Sequence, residues 1–154
     1  MTNLSANLVA AAATLPDHVA LRCDDLTYTF AEFDAAAARV ATMLIREGIE
    51  PGDRVGIMLP NTPAFAIVCY GILRCGAVAV PANPLLKARE AEFYLSNTGA
   101  KGLFASPAFA DEALDGAAAA GATCWVIDDA SLAALISGLP ARDAPVGRAG
   151  PDIA

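Results

Sequence analysis

The chain has 154 residues, of which 56% are hydrophobic and 18% charged, with a formal net charge of −7. This length allows one domain with its own core, and the composition excludes a disordered tail. The acidic balance disfavours a nucleic-acid partner, because binding to a phosphate backbone requires clustered Lys and Arg side chains. No apolar run reaches the roughly 18 residues that a membrane-spanning helix needs, so we expect no membrane span.

The first segment predicts a short amphipathic helix that Pro16 ends. Four apolar residues fall on one face of this helix: Leu4, Leu8, Ala11 and Leu15. No Lys or Arg precedes Arg22, and polar residues interrupt the apolar stretch, which is not the pattern of a secretory signal peptide. We therefore expect a cytoplasmic protein.

Two short β-prone segments, 19–23 and 26–29, flank Asp24-Asp25 and predict a hairpin in which these two residues form the turn. Thr29 stands three residues before Glu32, which is the spacing of a capping box. The helix that this box begins is expected to run to about Glu47, with Gly48 as its C-terminal stop.

From residue 55 onward, short apolar runs alternate with helical patterns. The runs predict strands at 55–59, 77–80, 101–105 and 123–127, and the helical patterns predict helices at 63–73, 87–97, 107–120 and 131–137. The first two of these strands lack polar alternation and are predicted to be buried. Asn61 is expected to cap the helix after the first strand, with Pro63 in its first turn, and this apolar helix should lie deep in the core.

The alternation predicts a three-layer α/β subdomain, in which a parallel sheet has helices on both faces, preceded by the short helix and the hairpin. The tail GLPARDAPVGRAGPDIA is rich in Gly, Pro and Ala and has no periodicity. We therefore expect residues 1–139 to form the subdomain and residues 140–154 to form a linker.

The thiol and imidazole groups do not form a recognisable site. The four cysteines, Cys23, Cys69, Cys75 and Cys124, contain no CxxC pair, and the one histidine is His18. Zinc sites usually use paired Cys or His at short spacing, so we interpret the cysteines as small buried residues in a reducing compartment. His18 is expected to be a surface residue at a helix exit.

Other motifs are absent or have a simpler explanation. The chain has no GxGxxG, no Walker loop and no GxSxG elbow. Asp128-Asp129 follow a strand, where α/β sheets hold ligands, and could bind a metal, but a helix cap is the stronger interpretation. Asn61 and Asn83 also follow strands, and capping and turn formation explain both. We therefore assign no catalytic, cofactor-binding or metal-binding residue to this chain.

Two stretches resemble the adenylate-forming enzymes. LTYTFAEF, residues 26–33, resembles a motif near the start of these enzymes, and GDRVGIMLPNTPAFAIVCYGILRCGAVAVPANP, residues 52–84, resembles their next conserved region. LLKAREAEFYLSNTGAKGLFA continues the resemblance through residue 105. The family comprises acyl-CoA synthetases, luciferases and the adenylation domains of peptide synthetases, and the chain looks most like bacterial fatty-acid–CoA ligases.

The resemblance implies a parent enzyme that activates a fatty or other carboxylic acid with ATP as an acyl-adenylate and then transfers it to CoA. It implies ATP, Mg²⁺ and CoA as the parent's cofactors, and the remainder of the parent as this chain's partner. In the family the phosphate loop follows a strand that begins like Asp152-Ile153-Ala154, so residues 140–154 should lead toward that loop. Because adenylyl transfer needs fixed N–H donors and cationic charge, we expect this chain alone to bind no cofactor and to be catalytically inactive.

Two other interpretations stay open. The chain could be a non-catalytic module that associates with itself or with a partner through exposed apolar surface or a sheet edge. It could also be an independent flavodoxin-like domain that binds a flavin or a nucleotide.

Overall fold

The computed structural model describes residues 3–142 and 144–148, and in this part of the chain six helices and six strands follow one another. Their bounds are α1 (Ala6–Thr14), β1 (Val19–Cys23), β2 (Leu26–Thr29), α2 (Phe30–Arg46), β3 (Arg54–Met58), α3 (Pro63–Arg74), β4 (Val78–Pro81), α4 (Ala88–Thr98), β5 (Ala100–Ala105), α5 (Ala110–Ala120), β6 (Thr123–Val126) and α6 (Asp129–Ile136).

Strands β3 to β6 form a parallel sheet in the order β4-β3-β5-β6. Side chains of alternate residues point to opposite faces of a strand. On one face, Val55, Ile57 and Phe104 join the core that α2, α3 and α6 cover. On the other face, Met58 and Leu103 pack with α4 and α5. The predicted three-layer α/β arrangement, with a preceding helix and an antiparallel β1-β2 hairpin, is confirmed.

Local signals in the sequence fix the start of the fold. Thr29 and Glu32 form the predicted capping box, in which the Glu32 N–H donates to Thr29 Oγ1 at 3.2 Å and the Thr29 N–H donates to Glu32 Oε2 at 2.8 Å. Asp24 lies in the predicted hairpin turn with a φ of +50°, a conformation that Asp tolerates better than most residues. Gly48 follows α2 with a φ of +83°, as expected for a C-terminal stop.

The predicted bounds lie within two residues of the observed ones except at α5. The first residues assigned to α5 form a 3₁₀ turn (Pro107–Phe109), in which Ser106 Oγ accepts from the Ala108 N–H at 3.4 Å. At the N-terminus, α1 ends at Thr14 rather than at Pro16.

The predicted burial is right for β3 and α3 but wrong in two places. The strand predicted at 77–80 was expected to be buried throughout. Ala77 and Val78 are buried, but Ala79 and Val80 are half-buried, because β4 has one neighbouring strand within the described residues. In α1, Leu8 is buried, but Leu4 and Leu15 are 50% and 44% exposed, because both lie outside the helix on its flanking residues.

None of the helices in the described part of the chain combines the length and the apolar content that crossing a bilayer requires.

Candidate functional site

The strand order reverses between β3 and β5, because the chain leaves β3 toward β4 on one side and leaves β5 toward β6 on the other. This is the order of the first four strands of a flavodoxin-like sheet. In open α/β sheets, ligands bind outside the carboxyl ends of the strands at such a reversal. The loops after β3, β5 and β6 therefore surround the candidate site.

The amino end of α3, which faces this site, is closed by a carboxylate from the chain itself. Asp129 Oδ1 accepts a hydrogen bond from the Ala64 N–H at 2.7 Å. Pro63, the first residue of α3, has no N–H, and the Phe65 N–H donates to the Thr62 carbonyl oxygen at 3.1 Å. A phosphate usually binds to free N–H groups at a helix start, and the first three residues of α3 have none to offer.

Asp128 caps its own helix, α6. Its Oδ1 accepts from the Ser131 N–H at 2.8 Å and from the Ser131 hydroxyl at 2.7 Å, while the Asp128 N–H donates to Ser131 Oγ at 2.8 Å. The hydrogen bond from the Ser131 backbone N–H, and after it the one from the Ser131 hydroxyl, lowers the pKa of the Asp128 carboxyl. The helix-cap interpretation is therefore confirmed for this residue. Among residues 3–142 and 144–148, no three His, Cys, Asp or Glu side chains form a group that could hold a metal.

The two asparagines that follow strands have different roles. Asn83 Oδ1 accepts from the Leu85 N–H at 2.9 Å, which is the predicted turn formation. The prediction that Asn61 caps α3 is wrong, because the cap position belongs to Thr62, and Asp129 supplies the hydrogen bond from another loop. Asn61 instead lines a cleft of about 240 Å³.

The cysteines and the histidine do not form a nucleophile–base pair, because the one hydrogen bond described for a cysteine side chain runs from Cys75 Sγ to the Ile72 carbonyl oxygen. Cys75 is buried, and Cys23, Cys69 and Cys124 are half-buried and free. Burial raises the pKa of the Cys69 and Cys75 thiols and raises that of Cys124 to about 11, so these thiols stay protonated at neutral pH. His18 is exposed and follows α1, as expected.

A hollow of about 590 Å³ lies between the hairpin, α2 and α6. Its apolar lining includes Ile67, Leu132 and Ile136, and its polar groups include those of Tyr28 and Arg39. Burial raises the pKa of the Tyr28 hydroxyl, and the nearby carboxylates add to this shift. The hollow offers apolar walls and isolated polar groups rather than a converging acid and base.

A buried arginine that sequence reasoning missed ties the end of the described chain to the core. The Arg74 side chain is 3% exposed, and its Nη1 lies 2.5 Å from Asp34 Oδ1. Its Nε and Nη2 both donate to the Arg142 carbonyl oxygen, at 3.0 and 2.7 Å. One signal was available, since Arg74 is a charged residue in the last turn of an otherwise apolar helix.

We call residues 139–142 and 144–148 the strap. Its Val146 N–H donates to the Arg74 carbonyl oxygen at 2.9 Å, and the Asn3 side-chain amide donates to the carbonyl oxygens of Leu73 and Val146 at 2.7 and 2.8 Å. Thr42 Oγ1 donates to a further strap carbonyl, that of residue 140, at 2.7 Å. The strap thus lies across the middle of α2 and the carboxyl end of α3. Residues 149–154, including the predicted strand start at 152–154, lie outside the described residues.

Comparison with known proteins gives a consistent result. The family model described as AMP-binding enzyme matches residues 8–149. The chain is 44% identical over 77 residues to the long-chain-fatty-acid–CoA ligase FadD13 of Mycobacterium tuberculosis, covering 50% of this chain and 15% of that protein. It is 37% identical over 92 residues to a long-chain-fatty-acid–CoA ligase of Bacillus subtilis, covering 60% and 16%.

Among solved structures, the N-terminal domain of FACL13 from Mycobacterium tuberculosis superposes with a TM-score of 0.86 at 32% identity, covering 99% of this chain and 40% of that one. The matched segments of the chain cover less than a fifth of the length of the two sequence relatives. Because the family model matches well over half of its residues, the chain belongs to the AMP-binding enzyme family.

Proposed function

We propose that the chain is the N-terminal α/β subdomain of an AMP-forming acyl-CoA synthetase. In this proposal the parent enzyme activates a fatty or other carboxylic acid with ATP as an acyl-adenylate and then transfers the acyl group to CoA. The observation that carries the proposal is the match of 99% of this chain to the N-terminal domain of FACL13. The long-chain-fatty-acid–CoA ligases among its sequence relatives support the same substrate class.

ATP, Mg²⁺ and CoA belong in this proposal to the parent enzyme, because the described residues do not fit a triphosphate and its metal. The N–H groups that begin α3 are already used by Asp129 and Thr62. No metal-ligating group of three or more side chains occurs in residues 3–142 and 144–148. The segment is therefore a scaffold, and alone it is catalytically inactive, since adenylyl transfer needs donors and cations around the developing charge.

The division of the chain follows from the same proposal. Residues 1–139 form the subdomain, and residues 140–154 form a linker that leads toward the phosphate loop of a cytoplasmic parent enzyme. The hydrogen bonds of the strap hold the first residues of this proposed linker against α2 and α3.

Two assays test the proposal. The purified 154-residue chain should give no ATP–pyrophosphate exchange with fatty acids of any length, and robust exchange would contradict the claim that it is inactive alone. In a hybrid enzyme, residues 3–148 of this chain replace the matching segment of FadD13. We expect this hybrid to form acyl-CoA from a long-chain fatty acid, ATP and CoA, and a folded hybrid that forms none would contradict the proposed role.

A second candidate function is a non-catalytic module that associates with itself, and one surface favours it. Leu86, Phe93 and Tyr94 of α4 and its preceding loop line a hollow of about 380 Å³, and Phe93 is 66% exposed. Apolar surface of this kind often marks a contact site. Light scattering after size-exclusion chromatography should then show a concentration-dependent dimer. A monomer at high concentration would count against this candidate.

A further inference from the structure

The strap is held in a fixed register by hydrogen bonds along its length. Several of its carbonyl oxygens accept bonds from side chains of α2, α3 or the N-terminal segment, namely those of Leu139, Pro140, Arg142 and Val146. The Arg142 and Val146 N–H groups donate in turn, to the Ala38 carbonyl oxygen at 3.4 Å and to the Arg74 carbonyl oxygen at 2.9 Å. A linker that only joins two units needs no such register, and many linkers are flexible coils.

Arg74 binds the strap with both its side chain and its backbone. Its Nε and Nη2 donate to the Arg142 carbonyl oxygen, and its own carbonyl oxygen accepts from the Val146 N–H. The Nη1 group of the same guanidinium pairs with Asp34. One residue of α3 therefore fixes two points of the strap, and Asp34 holds that residue in place.

Stability alone does not account for a charged side chain at this position. The Arg74 side chain is 3% exposed. Removing a charge from water costs free energy that an ion pair repays only in part, and apolar replacements of buried ion pairs often leave a fold equally stable. What a guanidinium adds is geometry, because its planar fork fixes the direction of the group that it binds.

A second anchor acts on the strap at Val146. Asn3 is buried, and its Oδ1 accepts from the Ser5 N–H at 2.9 Å and from the Ser5 hydroxyl at 2.7 Å, which fixes the direction of the Asn3 amide. That amide donates to the Leu73 and Val146 carbonyl oxygens. The Val146 side chain lies over Gly76, where an added Cβ would be 2.9 Å from Val146 Cγ1. The place of Val146 is thus set from two sides.

We propose that Arg74 is a positioning residue for the adenylation step of the parent enzyme, an inference that rests on the proposed function. In that function the strap leads into the segment that carries the phosphate loop, so the register of the strap sets where that segment begins. Arg74 acts through the backbone of Arg142 and Val146. A displacement of about 1 Å at a reacting group can cost about 100-fold in rate, so loss of this anchor should slow the step that uses the ATP phosphates.

The two half-reactions of the FadD13 hybrid separate positioning from stability. Arg74→Met should lower kcat/KM for ATP in acyl-adenylate formation at least ~10-fold. Transfer of the acyl group to CoA from supplied acyl-adenylate needs no triphosphate, and its kcat/KM should stay within about 2-fold. Arg74→Lys keeps the charge beside Asp34 and a donor for the strap, so it should recover part of the adenylation rate.

Leu95→Ala in the same hybrid is the matched control. Leu95 is buried in the core on the other face of the sheet, among residues of α4, β5 and α5. Its truncation should lower the melting temperature at least as much as Arg74→Met does, yet leave the ratio of the two half-reaction rates unchanged. If Arg74→Met also leaves this ratio unchanged in an active hybrid, the role of Arg74 is structural, and the inference is wrong while the proposed function stands.

Amide hydrogen exchange of the isolated 154-residue chain tests the anchor without any activity. By mass spectrometry with electron-transfer fragmentation, the Val146 amide should exchange at least ~10-fold faster in Arg74→Met than in the unsubstituted chain. The amide of Phe104, in the interior strand β5, should exchange equally slowly in both.

The exchange result separates failure of the anchor from failure of the proposed function. A Val146 amide that exchanges at the same rate in both chains would show that the Arg74 side chain does not hold the strap, and would overturn the inference whatever the hybrid does. A faster Val146 amide, together with a folded unsubstituted hybrid that forms no acyl-CoA, would contradict the proposed function and the role in adenylation while the anchor itself stands.

Discussion

Removal of the Asp34 carboxylate should destabilise the chain strongly, because the buried Arg74 guanidinium then loses its ion pair with this carboxylate. The Arg74 side chain is 3% exposed and that of Asp34 is 21% exposed. Breaking a fully buried ion pair costs about 3–5 kcal/mol. Because water reaches Asp34, we expect Asp34→Ala to lower the free energy of unfolding by about 2–3 kcal/mol. At about 2–4 °C per kcal/mol, this corresponds to a loss of about 4–12 °C in melting temperature.

The double variant Asp34→Ala/Arg74→Met separates the buried charge from the loss of packing. Methionine fills much of the same volume without a charge, so the double variant should be at least about 1 kcal/mol more stable than Asp34→Ala alone. Urea titration followed by fluorescence measures both, since the one tryptophan, Trp125, packs on Phe104 with a ring-centroid distance of 4.8 Å. The exposed Asp115→Ala is the control and should stay within about 0.5 kcal/mol of the parent chain.

Two results would refute this reasoning. If Asp34→Ala unfolds within about 0.5 kcal/mol of the parent chain, the ion pair does not stabilise the fold. If the double variant is no more stable than Asp34→Ala, the cost arises from lost packing or hydrogen bonds rather than from the buried charge of Arg74.

Three further predictions concern separate parts of the core and surface. Asp129→Ala removes the cap of α3 and should lower the free energy of unfolding by about 1 kcal/mol in a urea titration, whereas Asp129→Asn, which can still accept the bond, should lose less. Gly71→Ala should cost about 1–3 kcal/mol, because the added methyl group would overlap Val40. Combined with Val40→Ala, it should cost less than the sum of the two single changes. Burial raises the pKa of Asp53, but its hydrogen bonds to the Lys101 ammonium and to a backbone N–H outweigh this and leave it lowered. The Asp53 carboxylate should therefore stabilise the fold above about pH 4, and this stabilisation should be lost as the pH falls through the pKa of Asp53 in the folded state. We therefore expect the urea midpoint to fall less steeply with decreasing pH in Asp53→Asn than in the parent chain.

The fold could be predicted from the sequence because its signals are local. The Thr29–Glu32 box, the φ > 0 position of Gly48 and the apolar runs of the strands each depend on a few neighbouring residues. Strand order does not depend on neighbouring residues, and this is why the predicted burial of β4 was wrong. An edge strand and a central strand can share the same apolar sequence, and Pro81 was the one residue that marked the difference.

The tertiary hydrogen bonds could not be predicted, because their partners are distant in sequence. Asp129 accepts a hydrogen bond from an N–H group 65 positions earlier, and Arg74 donates to a carbonyl oxygen 68 positions later. From the sequence alone, Asp129 could be a metal ligand or part of a solvated cap for its own helix, and the cap is the stronger interpretation. Only the tertiary fold, in which the loop after β6 reaches the start of α3, decides between these roles.

The position of Asp129 also bears on how a fold of this kind can serve as a scaffold in the proposed parent enzyme. The start of α3 carries a partial positive charge, and at a reversal of strand order it would ordinarily attract an anionic ligand. Here the anion is a side chain of the same subdomain, so the interaction links the loop after β6 to the start of α3. A ligand would have to displace a carboxylate that is held at high effective concentration, and that competition is unfavourable for any freely diffusing phosphate. A nucleotide site in the proposed parent enzyme must therefore use N–H donors other than those that begin α3.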